Sequence, residues 1–107
     1  MFARILEFVP KMEKKEDLVK VVKNEVLPIL KKQFGFVDLL PFLPEARSEK
    51  VIVISLWTEK IDFERYEKEM MPKVEQILKP YMISPILVKP YMLETTICEH
   101  FAKVFAA

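Results

Sequence analysis

The sequence predicts a single α+β domain, in which a four-stranded antiparallel sheet carries its helices on one face. A chain of 107 residues has the length of one domain, and a composition of 51% apolar and 31% charged residues argues against disorder. Strand-type and helix-type apolar patterns alternate in the order β-α-β-β-α-β, which is the ferredoxin-like arrangement. The segment Val51–Trp57 is apolar almost without interruption, as is typical of a strand covered on both sides.

The first half of the chain supplies a strand and a long helix. We expect the strand over Phe2–Val9, closed by Pro10. The helix is expected over Glu16–Phe34, because apolar residues recur there at helical spacing, with acidic residues in the first turn and lysines in the last. Gly35 provides a C-terminal stop. Pro28 lies inside this helix and predicts a kink, since proline removes one backbone hydrogen bond.

Two further strands follow this helix. The second strand is expected over Phe36–Leu43, and Pro41 within it cannot donate a ladder hydrogen bond, which favours a position at the sheet edge. The third strand is expected over Val51–Trp57. Both segments are rich in large apolar residues, as strands that contribute to a core are.

The last third of the chain predicts two short helices, a strand and a tail. Asp62 is expected to be the N-cap of the first helix, and Pro72 suits the first turn of the second. Pro80 ends that helix. A fourth strand is expected over Ile83–Ile97, interrupted or bent at its prolines. The tail Cys98–Ala107 has apolar residues at helical spacing, which favours a short terminal helix.

Helices on one face leave the other face of such a sheet bare. Because Val51–Trp57 is apolar on both faces, exposing its side chains would cost roughly 1.5–3 kcal/mol for each large one. The chain has no further element to cover that face. We therefore expect a two-fold homodimer that packs sheet face to sheet face.

The inventory of reactive residues excludes several classes of mechanism. Gly35 is the only glycine, so neither a P-loop nor a dinucleotide-binding fingerprint can be built. His100 is the only histidine and Cys98 the only cysteine. A zinc site of three histidines and a four-ligand Cys/His site are therefore impossible. We expect neither a metal nor a cofactor.

Composition also bears on partners and location. The net charge of +1, without a basic stripe, argues against a nucleic-acid partner. No apolar run approaches the ~20 residues that cross a bilayer, so no membrane partner is expected. The first residues do not follow a signal-peptide pattern, and one cysteine cannot form an internal disulfide. These features predict a cytoplasmic protein.

The segment Leu56–Tyr66, LWTEKIDFERY, combines a strand ending in tryptophan, a polar turn and an aromatic helix. With the N-terminal strand, the helix ending at Gly35-Phe36 and the last strand Ile83–Ile97, it resembles the antibiotic biosynthesis monooxygenase-like family of the dimeric α+β barrel superfamily. The resemblance implies a homodimer whose two sheets form a barrel. It also implies a cleft between helices and sheet for polycyclic phenols or quinones, which active members oxygenate without metal or flavin.

A haem-degrading subgroup of that family uses an asparagine in the first strand, and a tryptophan and a histidine on the second helix. The first strand here has no asparagine, and the other two positions fall near Tyr66 and Gln76. Quinone-forming members carry an asparagine shortly before the strand-end tryptophan, where this chain has Val53, Ile54 and Ser55. Haem degradation is therefore the less expected activity.

Three aromatic residues near the joint between strand and helix are candidate ligand contacts. Trp57 is expected to stack on a planar aromatic ligand at the cleft mouth. Tyr66 is expected to donate a hydrogen bond to a phenol or quinone oxygen, and Phe63 shares its helical face. For each of them the alternative is packing in the core.

Two charged residues interrupt the first strand and point to opposite faces of it, because neighbouring side chains alternate. Arg4 is expected either to pair with Glu94 on the last strand or to bind an anionic group. Glu7 is the candidate general base, since a carboxylate in the cleft would accept a proton from a substrate.

These residues support two hypotheses of different class. In the first, the chain is a cofactor-independent monooxygenase or a binding protein for a small aromatic or quinone-like molecule. Trp57 would stack on that molecule, Tyr66 would hydrogen-bond it and Glu7 would take a proton from it. In the second, it is a non-catalytic dimeric module for ligand sensing or assembly. A cavity of roughly 300 Å³ or more between helices and sheet favours the first.

Overall fold

The computed structural model describes residues 1–47 and 49–101, which form four strands and four helices. The strands are β1 (Phe2–Phe8), β2 (Phe36–Phe42), β3 (Val51–Trp57) and β4 (Leu87–Met92). The helices are α1 (Lys15–Val21), α2 (Leu27–Lys31), α3 (Lys60–Glu69) and α4 (Met71–Leu78). Short 3₁₀ turns occupy Met12–Lys14, Lys79–Tyr81 and Thr95–Ile97. None of these helices is long and apolar enough to cross a membrane.

The four strands form one antiparallel sheet in the order β2-β3-β1-β4, which confirms the predicted α+β class and the β-α-β-β-α-β order. In the register, Phe2 of β1 lies between Trp57 of β3 and Met92 of β4. β2 lies at the edge, as Pro41 predicted. β3 has the predicted bounds, whereas β1 and β2 each end one residue earlier than expected.

A π-helical turn interrupts the long helix directly before Pro28, the residue that predicted a kink. Residues 22–26 form this turn, in which the N–H of Leu27 donates to the carbonyl of Val22, five residues earlier. The wider turn lies directly before Pro28, whose missing N–H would break an ordinary α-helical ladder. The helix ends at Lys31 rather than at Phe34, and Gln33 closes a turn by donating to the carbonyl of Leu30 at 2.9 Å.

Gly35 and Asp62 form a close joint between β2 and α3. Gly35 has a φ of +83°, and a Cβ at this position would overlap the Asp62 carboxylate. The prediction that Asp62 is the N-cap of this helix was wrong, because α3 begins at Lys60 and Asp62 lies buried inside it. The glycine is required here by backbone conformation and by space together.

The last strand is shorter than predicted. Its ladder covers Leu87–Met92, and Pro90 lies within it, whereas residues 83–86 precede the ladder and Thr95–Ile97 form a 3₁₀ turn after it. β4 is an edge strand, where a proline can be accommodated. Of the tail Cys98–Ala107, the structure describes only residues 98–101, with helical backbone at 99–101, so most of that prediction lies outside the described residues.

Both faces of the sheet are apolar. The face toward the helices, which we call the inner face, carries Leu6, Phe8 and Trp57, all of them in the core with helix residues such as Leu18 and Val74. The alternate strand positions form the outer face. Several large apolar side chains remain exposed there: Leu40, Phe42, Ile52, Leu87 and Tyr91. Within the described chain, no element covers these residues.

Candidate ligand cavity

A cavity of about 700 Å³ lies between the long helix and the inner face of the sheet. Its floor is formed by residues of β1, β2 and β3, and its roof by α1, the π-helical turn and α2. Most of the wall is aliphatic or aromatic; the apolar lining includes Leu6, Phe8, Leu18, Val26, Leu30, Phe36, Val51, Val53 and Leu78. Its size is within the range of small-molecule binding sites.

Three polar side chains lie together in the lining of the cavity. Arg4 of β1 and Ser55 of β3 are directly opposite each other in the sheet register, and Tyr66 of α3 lies against Arg4. All three side chains are buried and all three line the cavity. Lys23 and Lys31 line it from the roof and are exposed to solvent. The lining of the cavity is therefore mostly apolar, with Arg4 and Ser55 on its floor, Tyr66 of α3 beside them and two cations on its roof.

Arg4 is the most unusual residue of this site, because its charge is buried without full compensation. The residue is 3% exposed, and neither its Nε nor its Nη2 has a hydrogen-bond partner. Glu67 Oε1 lies 3.7 Å from Nη2, which is an ion-pair distance but beyond hydrogen-bond length. Burial lowers the pKa of the Arg4 guanidinium. Because arginine nevertheless stays protonated, the site contains a positive charge with unmet hydrogen bonds.

Tyr66 provides a neutral hydroxyl beside that charge. Its ring lies 5.6 Å from the Arg4 guanidinium carbon, and its hydroxyl donates to the Met71 sulfur at 3.6 Å. A thioether is a weak acceptor. Burial raises the pKa of Tyr66 to about 12. The hydroxyl is therefore protonated at neutral pH and can exchange a weak partner for a better acceptor on a ligand.

Trp57 lies behind this group rather than at the cavity wall. It is fully buried and does not line the cavity. Its indole N–H donates to Ser55 Oγ at 2.9 Å, and its ring packs 5.2 Å from the ring of Tyr66. Trp57 is therefore not placed for the expected stacking on a ligand in the cavity. It contacts Ser55 and Tyr66, whose hydroxyl-bearing side chains do line the cavity.

Phe63 also lies in the core and does not line the cavity. It shares helix α3 with Tyr66, but only Tyr66 reaches the open space. The alternative expectation, packing, describes where the structure places both Phe63 and Trp57. Of the three aromatic candidates, Tyr66 alone is in a position to contact a ligand.

Glu7 lies on the outer face of the sheet, away from the cavity. Its register partner on β3 is Ile52, and its carboxylate is 3.6 Å from the ammonium group of Lys50. Arg4 and Glu7 point to opposite faces, as alternation predicts, and the inner face belongs to Arg4. A general base at Glu7 would therefore be separated from the cavity by the sheet.

The predicted pairing of Arg4 with Glu94 was wrong. Glu94 is fully exposed beyond the end of β4, and it accepts hydrogen bonds from the Thr96 hydroxyl at 2.6 Å and from the Thr96 N–H at 3.4 Å. These bonds lower the pKa of the Glu94 carboxyl. Arg4 pairs with Glu67 of α3 instead, because its side chain points toward the helices.

Sequence reasoning missed Ser55, Lys23 and Lys31 as cavity residues. Ser55 carried a usable signal, since it is the one polar residue in an otherwise apolar strand and precedes Trp57 by two positions. The two lysines lie on the exposed side of an amphipathic helix and had no such signal. Among residues 1–47 and 49–101, no cluster of three or more Cys, His, Asp or Glu side chains could hold a metal ion.

Comparisons with known proteins find similarity in structure only. No sequence-family model matches the chain, and no curated protein matches it in sequence. A monooxygenase from the gene ActVA-Orf6 of Streptomyces coelicolor, solved with nanaomycin D, superposes with a TM-score of 0.72 at 12% identity, over 87% of each chain. An antibiotic biosynthesis monooxygenase gives 0.68 at 11% identity, over 87% of this chain and 98% of that one.

The fold is that of the antibiotic biosynthesis monooxygenases. A conserved protein from Methanosarcina mazei shares it as well, with a TM-score of 0.68 at 14% identity, over 88% of this chain and 94% of that one. At these identities the likeness is one of fold. The role of each side chain in this chain therefore rests on the geometry of its own cavity.

Proposed function

We propose that this protein binds a small aromatic or quinone-like molecule in the cavity between its helices and its sheet. The observation that carries the proposal is the cavity itself, which has a volume of about 700 Å³ and a mostly apolar lining that includes the polar side chains Arg4, Ser55 and Tyr66. Apolar walls with a few convergent polar groups are the usual construction of a small-molecule site. The shared fold with a monooxygenase solved with nanaomycin D supports the same ligand class.

We further propose that the bound molecule is oxygenated by O₂ without a cofactor. The Arg4 charge favours the ionised form of a phenol or an enolisable ketone, and an electron-rich anion is the form that reacts with O₂. Tyr66 would donate to the oxygen of that anion. For an anthrone, the CH₂ carbon gains one oxygen atom and loses two hydrogens, which leave with the second oxygen atom as water. One O₂ thus yields one anthraquinone and one water.

The test uses an anthrone as the probe, with purified protein and no added metal or flavin. We expect O₂ uptake matched one to one by anthraquinone absorbance. Tyr66→Phe should slow the reaction about 10- to 100-fold, the size of one lost hydrogen bond to a charged group. Val53→Phe, which fills the cavity from β3, should abolish both turnover and the thermal shift caused by the probe. Lys68→Met, an exposed change on α3, is the matched control.

A binding protein without catalysis is the second candidate, and one observation favours it. Among the described residues that line the cavity, the only carboxylate is Asp38, which is exposed and accepts a hydrogen bond from the Leu39 N–H at 2.8 Å. Glu7, the predicted base, lies on the outer face. Probe binding that shifts the melting temperature while O₂ is not consumed would select this candidate over the oxygenase.

We also propose that the outer face of the sheet is covered by a second copy of the chain. Five exposed apolar side chains of β2, β3 and β4 lie on that one face, among them Leu40 and Phe42 on β2 and Tyr91 on β4. Exposed apolar area of this kind marks an interaction surface. A two-fold axis between the two facing sheets would bury the same residues in both copies.

A further inference from the structure

We propose that the ligand of this cavity is an anion, an aromatic carboxylate whose acid group is held at Arg4. The inference rests on one part of the proposed function, the binding of an aromatic molecule in the cavity between helices and sheet, and it assigns Arg4 to an acid group of that molecule rather than to a phenol oxygen. It adds the charge of the ligand and the orientation in which it binds.

The first observation is the unmet hydrogen bonding of Arg4. Nε and Nη2, the two nitrogens that form one edge of the guanidinium, lack hydrogen-bond partners although the side chain is buried and lines the cavity. That edge is the one that matches the two oxygens of a carboxylate. Glu67 is too far away to satisfy it, at 3.7 Å, and its side chain is 41% exposed. An acid group in the cavity would supply the partner that the chain does not.

The second observation is that the polar groups around Arg4 are donors. Ser55 Oγ accepts from the Trp57 indole at 2.9 Å, so the hydroxyl proton of Ser55 is left to donate. The Tyr66 hydroxyl is protonated at neutral pH, because burial raises the pKa of Tyr66 to about 12. A cluster of one cation and two hydroxyl donors suits a ligand group that only accepts, as a carboxylate does.

The third observation is the sign of the remaining charge along the cavity. Lys23 and Lys31 are exposed on its roof, and Asp38 is the one acid among the described lining residues. With Arg4, the lining therefore carries three formal positive charges against one negative charge. The whole chain is almost neutral, at +1. This local excess of positive charge attracts an anion toward the cavity.

The apolar walls of the cavity indicate what the uncharged part of the ligand is. Away from Arg4 the lining is apolar, from Leu6 and Val53 on the floor to Val26 and Leu30 on the roof. A flat aromatic body fits a space of this kind between helices and sheet. The acid group would lie at Arg4 and the ring system would extend beneath the helix.

The experiment compares two probes of nearly the same shape, anthraquinone-2-carboxylate and its neutral carboxamide, by isothermal titration calorimetry at pH 7. We expect the carboxylate to bind at least tenfold more tightly. Equal affinities, or a tighter carboxamide, would overturn the anion inference and leave the proposed function standing. If neither probe binds, the proposed function fails and the inference fails with it.

Substitutions then locate the effect. Arg4→Met, similar in length and uncharged, should remove the preference for the carboxylate and leave carboxamide binding within about twofold, which also shows that the variant is folded. Lys68→Met removes an exposed charge from α3 and should preserve the full preference. A preference that survives Arg4→Met would overturn the assignment. Should that variant fail to fold, the Lys23→Met and Lys31→Met pair, both exposed, must lower carboxylate affinity by a few-fold.

Discussion

The inner and outer faces of the sheet are built from the same strands and the same kinds of apolar residue, yet they differ in what lies against them. On the inner face, Phe8 and Trp57 are buried beneath the helices, and the helices stand far enough off to leave a cavity. On the outer face, Leu40 and Phe42 remain 37% and 54% exposed. The helices therefore bury the apolar side chains of the inner face, whereas several of those on the outer face stay exposed within the described chain.

This difference separates two tasks. The proposed ligand site is on the inner face, where Arg4 and Tyr66 are buried and their electrostatic interactions are strengthened. Assembly is proposed for the outer face, where the exposed apolar residues lie and where Glu7 pairs with Lys50. Changes on one face should consequently leave the property of the other face intact, and the following substitutions test that separation.

The largest effect is expected from Leu40→Lys on the outer face. A charge buried without a partner in an interface of two sheets costs several kcal/mol, so the dimer dissociation constant should rise at least 100-fold. Sedimentation velocity at micromolar concentration measures it. Ile61→Lys, on an exposed part of α3, is the control and should leave the dimer intact. A wild-type chain that sediments as a 12.7 kDa monomer would contradict the outer-face proposal.

A somewhat smaller effect is expected from Gly35→Ala, on the helix side. The φ of +83° disfavours any residue with a Cβ, and that Cβ would overlap the Asp62 carboxylate. We expect the free energy of unfolding to fall by about 2–4 kcal/mol, measured by urea denaturation. Gly35→Asn tolerates the backbone conformation better and separates strain from overlap. A loss below about 0.5 kcal/mol for alanine would show that α3 moves away freely.

The smallest expected effect is on the stability at alkaline pH, and it compares Tyr66 on the inner side of the sheet with Tyr91 on the outer face. Burial raises the pKa of Tyr66 to about 12 from 10. A raised folded-state pKa contributes stability that is complete below pH 10 and is lost as the pH rises from 10 to 12. Over that window the Tyr66 contribution amounts to about 2–3 kcal/mol. Tyr66→Phe should therefore flatten the alkaline fall in stability.

Tyr91 on the outer face is the matched control for that measurement, since it is 53% exposed. Tyr91→Phe should retain the alkaline fall seen in the wild type when unfolding is followed by urea denaturation between pH 9 and pH 12. If both variants flatten the curve equally, the loss of stability does not come from the buried hydroxyl beside Arg4.

Much of the fold could be predicted from the sequence, because local patterns determine it. The continuous apolar run of β3 predicted its bounds, Pro41 predicted an edge strand, and Pro28 predicted an irregularity in the long helix, where the structure has a π-helical turn. The N-cap at Asp62 could not be judged locally, because the contact that buries this side chain is made with Gly35, which is 27 positions away in the chain.

The site was harder to predict, and β1 shows why. The alternation of side chains along β1 predicts that Arg4 and Glu7 point to opposite faces. It identifies the face that the helices cover only when one face is more polar than the other. Both faces of β1 are apolar apart from these two residues, so the pattern is symmetric and the side could not be chosen. The cavity, likewise, arises from the distance between helix and sheet, which no residue type records.

The π-helical turn determines which residues of the long helix face the cavity along its roof. The roof residues recur in adjacent pairs every four positions, at 18 and 19, 22 and 23, 26 and 27, and 30 and 31. In an uninterrupted α-helix, each step of four residues turns about 40° beyond a full turn. After three steps the last pair would therefore point about 120° away from the direction of the first pair. The π-helical turn accommodates one extra residue, which reduces this rotation by about 100°. The last pair of roof residues is therefore rotated by only about 20° from the first. The extra residue of the π-helical turn thus keeps the roof residues facing the sheet along the whole cavity, which matches the flat aromatic ligand proposed above.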